Sequence, residues 1–164
     1  MTTTAQLVTD FDREMALTRR LMERIPPDKL EWKPHPKSTS MAGLGRHLAH
    51  MITWGRLALA HTTSDFGDRT AMPPTPRLDD ILAAFDHNVA ELRALIAGST
   101  EEELAVTWSL TYHGQQVLSS SRAAVVQSMI LHHQIHHRGQ LSVYLRLIDV
   151  SLPSIYGPSA DEAM

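Results

Sequence analysis

Apolar residues recur at spacings of three and four along four stretches of the chain, and this period is typical of amphipathic helices. The four stretches cover residues 4–25, 41–61, 78–97 and 121–149. Prolines interrupt the pattern after the first two stretches, and proline cannot continue a helix because it lacks a backbone donor. Gly98 ends the third stretch. The pattern therefore predicts four helices, with long connections after the first and the second.

Two further segments depart from the helical period. Residues 104–118 carry β-branched and aromatic side chains on both sides of Gly114, which allows a small β-hairpin before the last helix. Residues 150–164 contain too few apolar side chains to build an element, so this tail should be irregular and pack on the surface or remain loose.

Helices that alternate with loops, without an internal repeat, indicate an all-α protein. We expect one domain over residues 1–164, folded as an antiparallel four-helix bundle with a long second connection at 65–77. A chain of 164 residues buries enough surface to fold as a single domain without disulfides.

Composition narrows the chemistry that is available. The chain has no cysteine and ten histidines, so imidazole and carboxylate are the possible metal ligands. Its formal charge is −3, from 15 basic and 18 acidic residues without a basic stripe, which argues against nucleic acid or a membrane as partner. The first residues lack the features of a secretion signal, so we expect a cytoplasmic protein.

The fourth predicted helix carries four histidines within six residues, at 132, 133, 136 and 137. Histidines four residues apart lie one helical turn apart on nearly the same face, so both imidazoles can reach one metal ion. His132 with His136 and His133 with His137 both satisfy this spacing. On a helical wheel the two pairs lie at similar angles on either side of the buried direction, so periodicity does not choose between them.

A third ligand has to come from another helix. His47 lies on the apolar face of the second predicted helix, whereas His50 lies off it. Three histidines leave coordination positions open, as in catalytic rather than structural zinc sites. The competing interpretations are a hydrogen-bonded core histidine at 47 and a polar, pH-sensitive histidine surface on the fourth helix. No glutamate follows the first histidine of either pair, so the zincin mechanism does not apply.

Three segments of the sequence resemble the DinB family, within the DinB/YfiT-like superfamily of metalloenzymes, and the similarity extends over essentially the whole chain. The segments are HQIHHRGQL at 133–141 with its continuation VYLRL at 143–147, PSIYGPSADE at 153–162, and KSTSMAGLGRHLA at 37–49. The resemblance implies a four-helix bundle, commonly dimeric, that binds a divalent ion such as nickel or zinc.

Residue by residue, the resemblance implies that His47, His133 and His137 are the metal ligands. It thereby selects one of the two histidine pairs that periodicity left open. The sequence departs from the family at His50, where relatives often have an acidic residue, and at His132, where asparagine is common. Roles for His50, His132 and His136 do not follow from the sequence.

The resemblance also bears on function, because relatives in the superfamily include thiol-dependent transferases and isomerases. We expect a metal-dependent enzyme acting on a small molecule, with S-transfer to a low-molecular-weight thiol as the first hypothesis and hydrolysis as the second. The alternative is a noncatalytic metal-binding stress protein in which the ion is structural.

Two polar residues near the ligands receive contrasting predictions. Tyr144 lies two turns beyond His137 on the inward side, where its hydroxyl is a candidate for orienting a bound water or substrate; the commoner outcome is a tyrosine bonded to backbone. Arg138 falls on the polar face with Gln134 and Ser142, and we expect it to be solvated or at an interface.

Overall fold

The computed structural model describes residues 3–67 and 77–163, and these form a mostly helical protein with a small sheet. The helices are α1 (Thr4–Met22), α2 (Met41–His50), α3 (Ile52–Ala60), α4 (Leu78–Gly98), α5 (Glu101–Ala105), α6 (Arg122–Val125) and α7 (His133–Arg146), with a 3-10 turn at Pro27–Lys29 and a π-helix at Val126–His132. The strands are β1 (Thr63–Asp65), β2 (Thr107–Tyr112) and β3 (Gln115–Ser121).

All four predicted helices are present, although two of them are interrupted. The second is divided at Met51 into α2 and α3, and the fourth consists of α6, the π-helix and α7 in direct succession. Helix α5 was not predicted; Thr100 and Glu103 form a capping box at its start, in which each side chain bonds the other residue's backbone N–H. Much of the predicted 65–77 loop lies outside the described residues.

The sheet confirms the predicted hairpin and adds a third strand. Strands β2 and β3 pair in antiparallel fashion around His113 and Gly114, which both have positive φ, as a two-residue hairpin turn requires. The short strand β1 pairs in parallel with β2, and Asp65 accepts hydrogen bonds from Thr111 and from the turn amides. A strand of three residues is too short to show an alternating pattern, so β1 could not be predicted.

The order of contacts between helices departs from the predicted antiparallel arrangement. Thr4 of α1 bonds the carbonyl of Ser99, and Arg19 bonds Asp86, so α1 and α4 run in opposite directions. Helices α2 and α3 instead run parallel to α4, because residues later in α2 and α3 contact residues later in α4. Gly45 lies against Ile81 and Gly55 lies against Leu92. This parallel pair requires the long second connection.

The core occupies the centre of the bundle. Buried apolar side chains from α1, α2, α3, α4, the π-helix and α7 form one cluster. A second cluster joins the sheet to α3 and α6 through Ala58, Trp108, Leu110 and Val125. The sheet therefore closes one side of the bundle, near the C-terminal end of α3.

The predicted polar face of the last helix is wrong at Gln134 and Arg138. These side chains are 0% and 2% exposed, and they share the inward face of α7 with Leu141 and Leu145. Hydropathy alone assigned them to solvent, but each finds a buried partner on a neighbouring helix. The π-helix also changes the register, because its wider turns rotate the residues that follow relative to a regular helix.

The buried partner of Arg138 is Glu14 of α1. The guanidinium contacts the Glu14 carboxylate at 2.7 Å and the Glu14 carbonyl at 3.0 Å. Tyr156, from the C-terminal tail, places its hydroxyl between both side chains and donates to the same carboxylate oxygen. The tail contains no helix or strand over residues 150–163, in agreement with the prediction, and it packs on the surface.

None of the helices in the described ranges is both long and apolar enough to cross a membrane.

Candidate metal centre

Three histidines from two helices converge on one point. His47 projects from α2, whereas His133 and His137 lie one turn apart at the start of α7. One ring nitrogen from each lies within 4.8 Å of the other two. The His47 ring is 5.2 Å from the His133 ring and 4.4 Å from the His137 ring, between centroids.

This group contains the pair that the resemblance selected. His132 and His136 are exposed, although the His136 ring packs edge-on against His137 at 4.8 Å between centroids. His50 is partly buried one turn beyond His47, and it does not belong to the group among the described residues. The structure thus brings the three candidate ligands together, while metal binding itself stays a prediction.

Both helices that carry the candidate ligands are irregular beside the centre. The division between α2 and α3 follows His47 by four residues, and the π-helix ends at the residue before His133. Two buried amides from other helices bond carbonyls near the division: Gln134 donates to Leu48 at 2.6 Å, and Asn88 donates to Ala49 at 3.0 Å. π-Helical turns are frequent at functional sites, where they reposition side chains.

Hydrogen bonds orient both imidazoles of α7. The Nδ1 atom of His137 lies 2.7 Å from the Oε1 atom of Gln140, and the His133 ring donates to the Met129 carbonyl. The Nε2 atoms of His133 and His137 face each other at 2.8 Å. Because the other ring nitrogen of each is hydrogen-bonded, the Nε2 atoms of the neutral rings carry the lone pairs that face this point. A divalent ion at this point would be held by these two nitrogens together with one from His47.

The electrostatics favour neutral imidazoles, the form that binds metals. Burial lowers the pKa of His133, and the nearby His136 lowers it further, against the hydrogen bond to the Met129 carbonyl. Burial likewise lowers the pKa of His137, and the Gln140 side chain opposes that shift. Three neutral nitrogen donors without a thiolate suit zinc, nickel and copper. The side chains therefore fit a divalent transition metal.

We expect metal affinity to be constant near neutral pH and to fall only on acidification below the ordinary histidine range, near 6.5. The lowered pKa values of His133 and His137 shift this loss to lower pH, since protons compete with the ion less effectively there. Isothermal titration at a series of pH values measures it. A midpoint clearly above 6.5 would contradict the lowered pKa values.

The remaining candidate, Tyr144, has a backbone partner. Its hydroxyl lies 3.4 Å from the Thr39 carbonyl, just before α2, and its ring packs edge-on against Trp32. A catalytic role for Tyr144 remains a prediction. Sequence reasoning missed the orienting contacts of Gln140 and Met129. An amide three residues after a candidate ligand was the available signal for Gln140, whereas a carbonyl acceptor leaves no signal in the sequence.

A family model described as the DinB superfamily matches residues 10–141. An uncharacterized protein of Bacillus subtilis, YrdA, is 24% identical over 154 residues, covering 93% of this chain and 87% of YrdA. The helical fold is also found in solved structures from the same bacterium.

The DinB-like protein YjoA from Bacillus subtilis superposes with a TM-score of 0.71 at 24% identity, covering 92% of this chain and 97% of YjoA. YfiT from Bacillus subtilis, described as a probable metal-dependent hydrolase with an unusual four-helix bundle topology, gives a TM-score of 0.65 at 12% identity. That match covers 90% of this chain and 89% of YfiT. These likenesses support the four-helix architecture.

Proposed function

The chain belongs to the DinB superfamily, and from this premise we propose that it is a metal-dependent hydrolase whose divalent ion, zinc or nickel, is held by His47, His133 and His137. The observation that carries the proposal is the convergence of three imidazole nitrogens within 4.8 Å of one another. The description of YfiT as a probable metal-dependent hydrolase supports the choice of reaction.

The composition of the donor set favours catalysis over a purely structural ion. Structural zinc sites have four protein ligands, whereas catalytic sites have three and leave a position for water or substrate. Within the described ranges no carboxylate joins the three histidines in the group. The histidines are not fully buried either.

The roles of the side chains follow from their contacts. A bound divalent ion would supply Lewis-acid chemistry, polarising an oxygen or sulfur atom and favouring its deprotonation. Gln140 and the Met129 carbonyl hold the rings of His137 and His133 so that Nε2 points toward the centre. Such outer contacts fix the tautomer and increase the basicity of a ligating imidazole.

A thiol transferase is the second candidate, since the same open position accommodates a thiolate and the resemblance includes thiol-dependent relatives. The two candidates differ in what they consume. A hydrolase turns over an ester or amide in water alone, whereas a transferase requires a low-molecular-weight thiol as co-substrate.

Elemental analysis of the purified protein, followed by hydrolysis and thiol-transfer screens with and without a chelator, tests the proposal. We expect about one equivalent of metal and turnover that chelation abolishes and metal restores. The His137→Ala variant is the matched control for background activity. Stoichiometric metal with a raised melting temperature, but without turnover in either screen, would favour the noncatalytic alternative, in which the ion only stabilises the bundle.

We also propose that the protein assembles as a homodimer, as the resemblance implies. Val143 on α7 and Leu147 directly after it are 57% and 59% exposed and lie one helical turn apart. Sedimentation of wild type and of the Val143→Glu variant tests this assembly; a monomeric wild type would contradict it.

A further inference from the structure

Each ligand of α7 is followed by a buried polar residue that binds a neighbouring helix. Gln134 follows His133, and its Nε2 atom donates to the Leu48 carbonyl at 2.6 Å. Leu48 in turn follows His47. One buried hydrogen bond therefore joins the two helices of the centre at the residues directly adjacent to a ligand on each side.

Arg138 repeats this arrangement one turn later, next to His137. Its guanidinium bonds Glu14 of α1 through both the carboxylate and the main-chain carbonyl, and it contacts the Thr18 hydroxyl at 3.3 Å. The ion pair is almost completely buried, with side-chain exposures of 2% and 3%. A planar guanidinium that makes several bonds in fixed directions holds its own backbone in one orientation.

We refer to Gln134 and Arg138 as the two anchors of α7, and their positions directly after the ligands determine what their hydrogen bonds fix. Successive helical residues are about 100° apart around the axis. Bonding Gln134 and Arg138 of α7 to the neighbouring helices therefore also fixes the direction of the residue before each of them. Core packing alone is less directional, because apolar contacts tolerate small rotations and volume-conserving changes. Both side chains lie on the inward face of α7 but bond different helices, α2 and α1, so rotation of α7 would have to break both sets of bonds.

We propose that Gln134 and Arg138 are positioning residues of the metal centre: they set the rotation of α7 and its distance from α2, and thereby the relative placement of His47, His133 and His137. This inference rests on the proposed function, because it assumes that the three histidines bind an ion. Neither side chain belongs to the group of candidate ligands.

The structure provides a matched control for Gln134. Asn88 of α4 donates to the Ala49 carbonyl at 3.0 Å, also from a buried side chain, one residue away from the carbonyl that Gln134 binds. Helix α4 carries none of the three candidate ligands. Gln134→Met and Asn88→Leu therefore each remove one buried amide–carbonyl bond with little change in volume, and Asn88→Leu also removes an acceptor of Arg56 at 3.4 Å. Only Gln134→Met removes a bond next to a ligand.

The test compares wild type, Gln134→Met and Asn88→Leu by Co²⁺ affinity in a chelator competition and by the visible absorption of bound Co²⁺, which reports coordination geometry. We expect Gln134→Met to lose about tenfold or more in affinity and to change the spectrum, as outer contacts of metal ligands typically do. Asn88→Leu should retain the wild-type spectrum and lie within about twofold in affinity. Melting of the metal-free proteins measures stability separately.

Wild-type affinity and spectrum in Gln134→Met would overturn the inference, as would equal losses in Gln134→Met and Asn88→Leu, which would indicate general loosening of the core. If Gln134→Met does not fold, Arg138→Lys tests the second anchor. Lysine retains the positive charge beside Glu14 but loses the planar guanidinium that bonds the carboxylate and the carbonyl through two nitrogens. An unchanged Co²⁺ spectrum in Arg138→Lys would also overturn the inference. A wild type that binds no stoichiometric Co²⁺ would instead contradict the proposed function.

Discussion

Replacement of His137 with alanine is expected to abolish stoichiometric metal binding. The His137 ring contacts both other candidate ligands, with its Nε2 atom 2.8 Å from that of His133 and its ring 4.4 Å from that of His47. Dividing the affinity of a typical structural zinc site among its four ligands gives about 3 kcal/mol for each, which corresponds to more than a hundredfold in affinity. Two histidines would not retain an ion through purification.

His132→Ala is the control for this experiment, because His132 lies on the same helical run but is exposed and outside the group. We expect this variant to contain as much metal as wild type. Elemental analysis of the two purified variants measures the difference directly, and circular dichroism verifies that both are folded. Equal metal content in His137→Ala and His132→Ala would exclude the proposed ligand set.

The second large effect is expected at Glu14, which holds the buried charge of Arg138. Glu14→Ala should destabilise the protein by about 3–5 kcal/mol, because the guanidinium would remain charged in a site that is only 2% exposed. The Tyr156 hydroxyl would lose its acceptor in the same step. Such a loss is a large fraction of the stability of a typical domain.

Urea unfolding of wild type and Glu14→Ala measures this free energy, and Asp86→Ala is the matched control. Asp86 of α4 pairs with Arg19, which lies on α1 as Glu14 does. This pair is exposed to solvent and should contribute at most about 1 kcal/mol. The double variant Glu14→Leu with Arg138→Met should recover much of the loss, since it removes both charges. A single Glu14 variant as stable as the Asp86 variant would show that the buried pair contributes little.

The same carboxylate makes stability depend on pH in a defined direction. Burial alone would raise the pKa of Glu14, but hydrogen bonds from Tyr156 and Arg138 outweigh burial and lower the pKa from 4.5. A pKa that is lower in the folded state stabilises the protein above the unfolded value. That contribution is lost as the pH falls through the folded pKa. Wild type should therefore lose more stability than the double variant below pH 4.5.

Periodicity predicted the helices well because most of their apolar positions are the buried ones. It did not predict the division at Met51, because the apolar face continues through that residue and the carbonyls near the division are bonded by side chains distant in sequence, Asn88 and Gln134. The parallel packing of α2 and α3 with α4 depends on the long connection between α3 and α4. The hydrophobic pattern of a helix does not show in which direction the helix runs relative to its neighbours.

The candidate centre was predictable in part. The inward position of His47 followed from the wheel. The spacing of the histidines on the last predicted helix allowed two metal-binding pairs, and only the family resemblance selected His133 and His137. Hydropathy could not identify Arg138 as buried, because its partner Glu14 also appears as a polar residue of an amphipathic helix. A buried ion pair between distant helices leaves two apparently solvent-facing residues in the sequence, and only the three-dimensional structure shows that they meet.

The pairing of α1 with α7 also has a kinetic consequence. Glu14 and Arg138 are separated by 124 positions in sequence, so their contact closes a loop that includes most of the chain. Helical bundles usually fold rapidly because their contacts are local, and long-range closure slows folding through its entropic cost. We expect the contacts between α1 and α7 to be among the last to form when the protein folds.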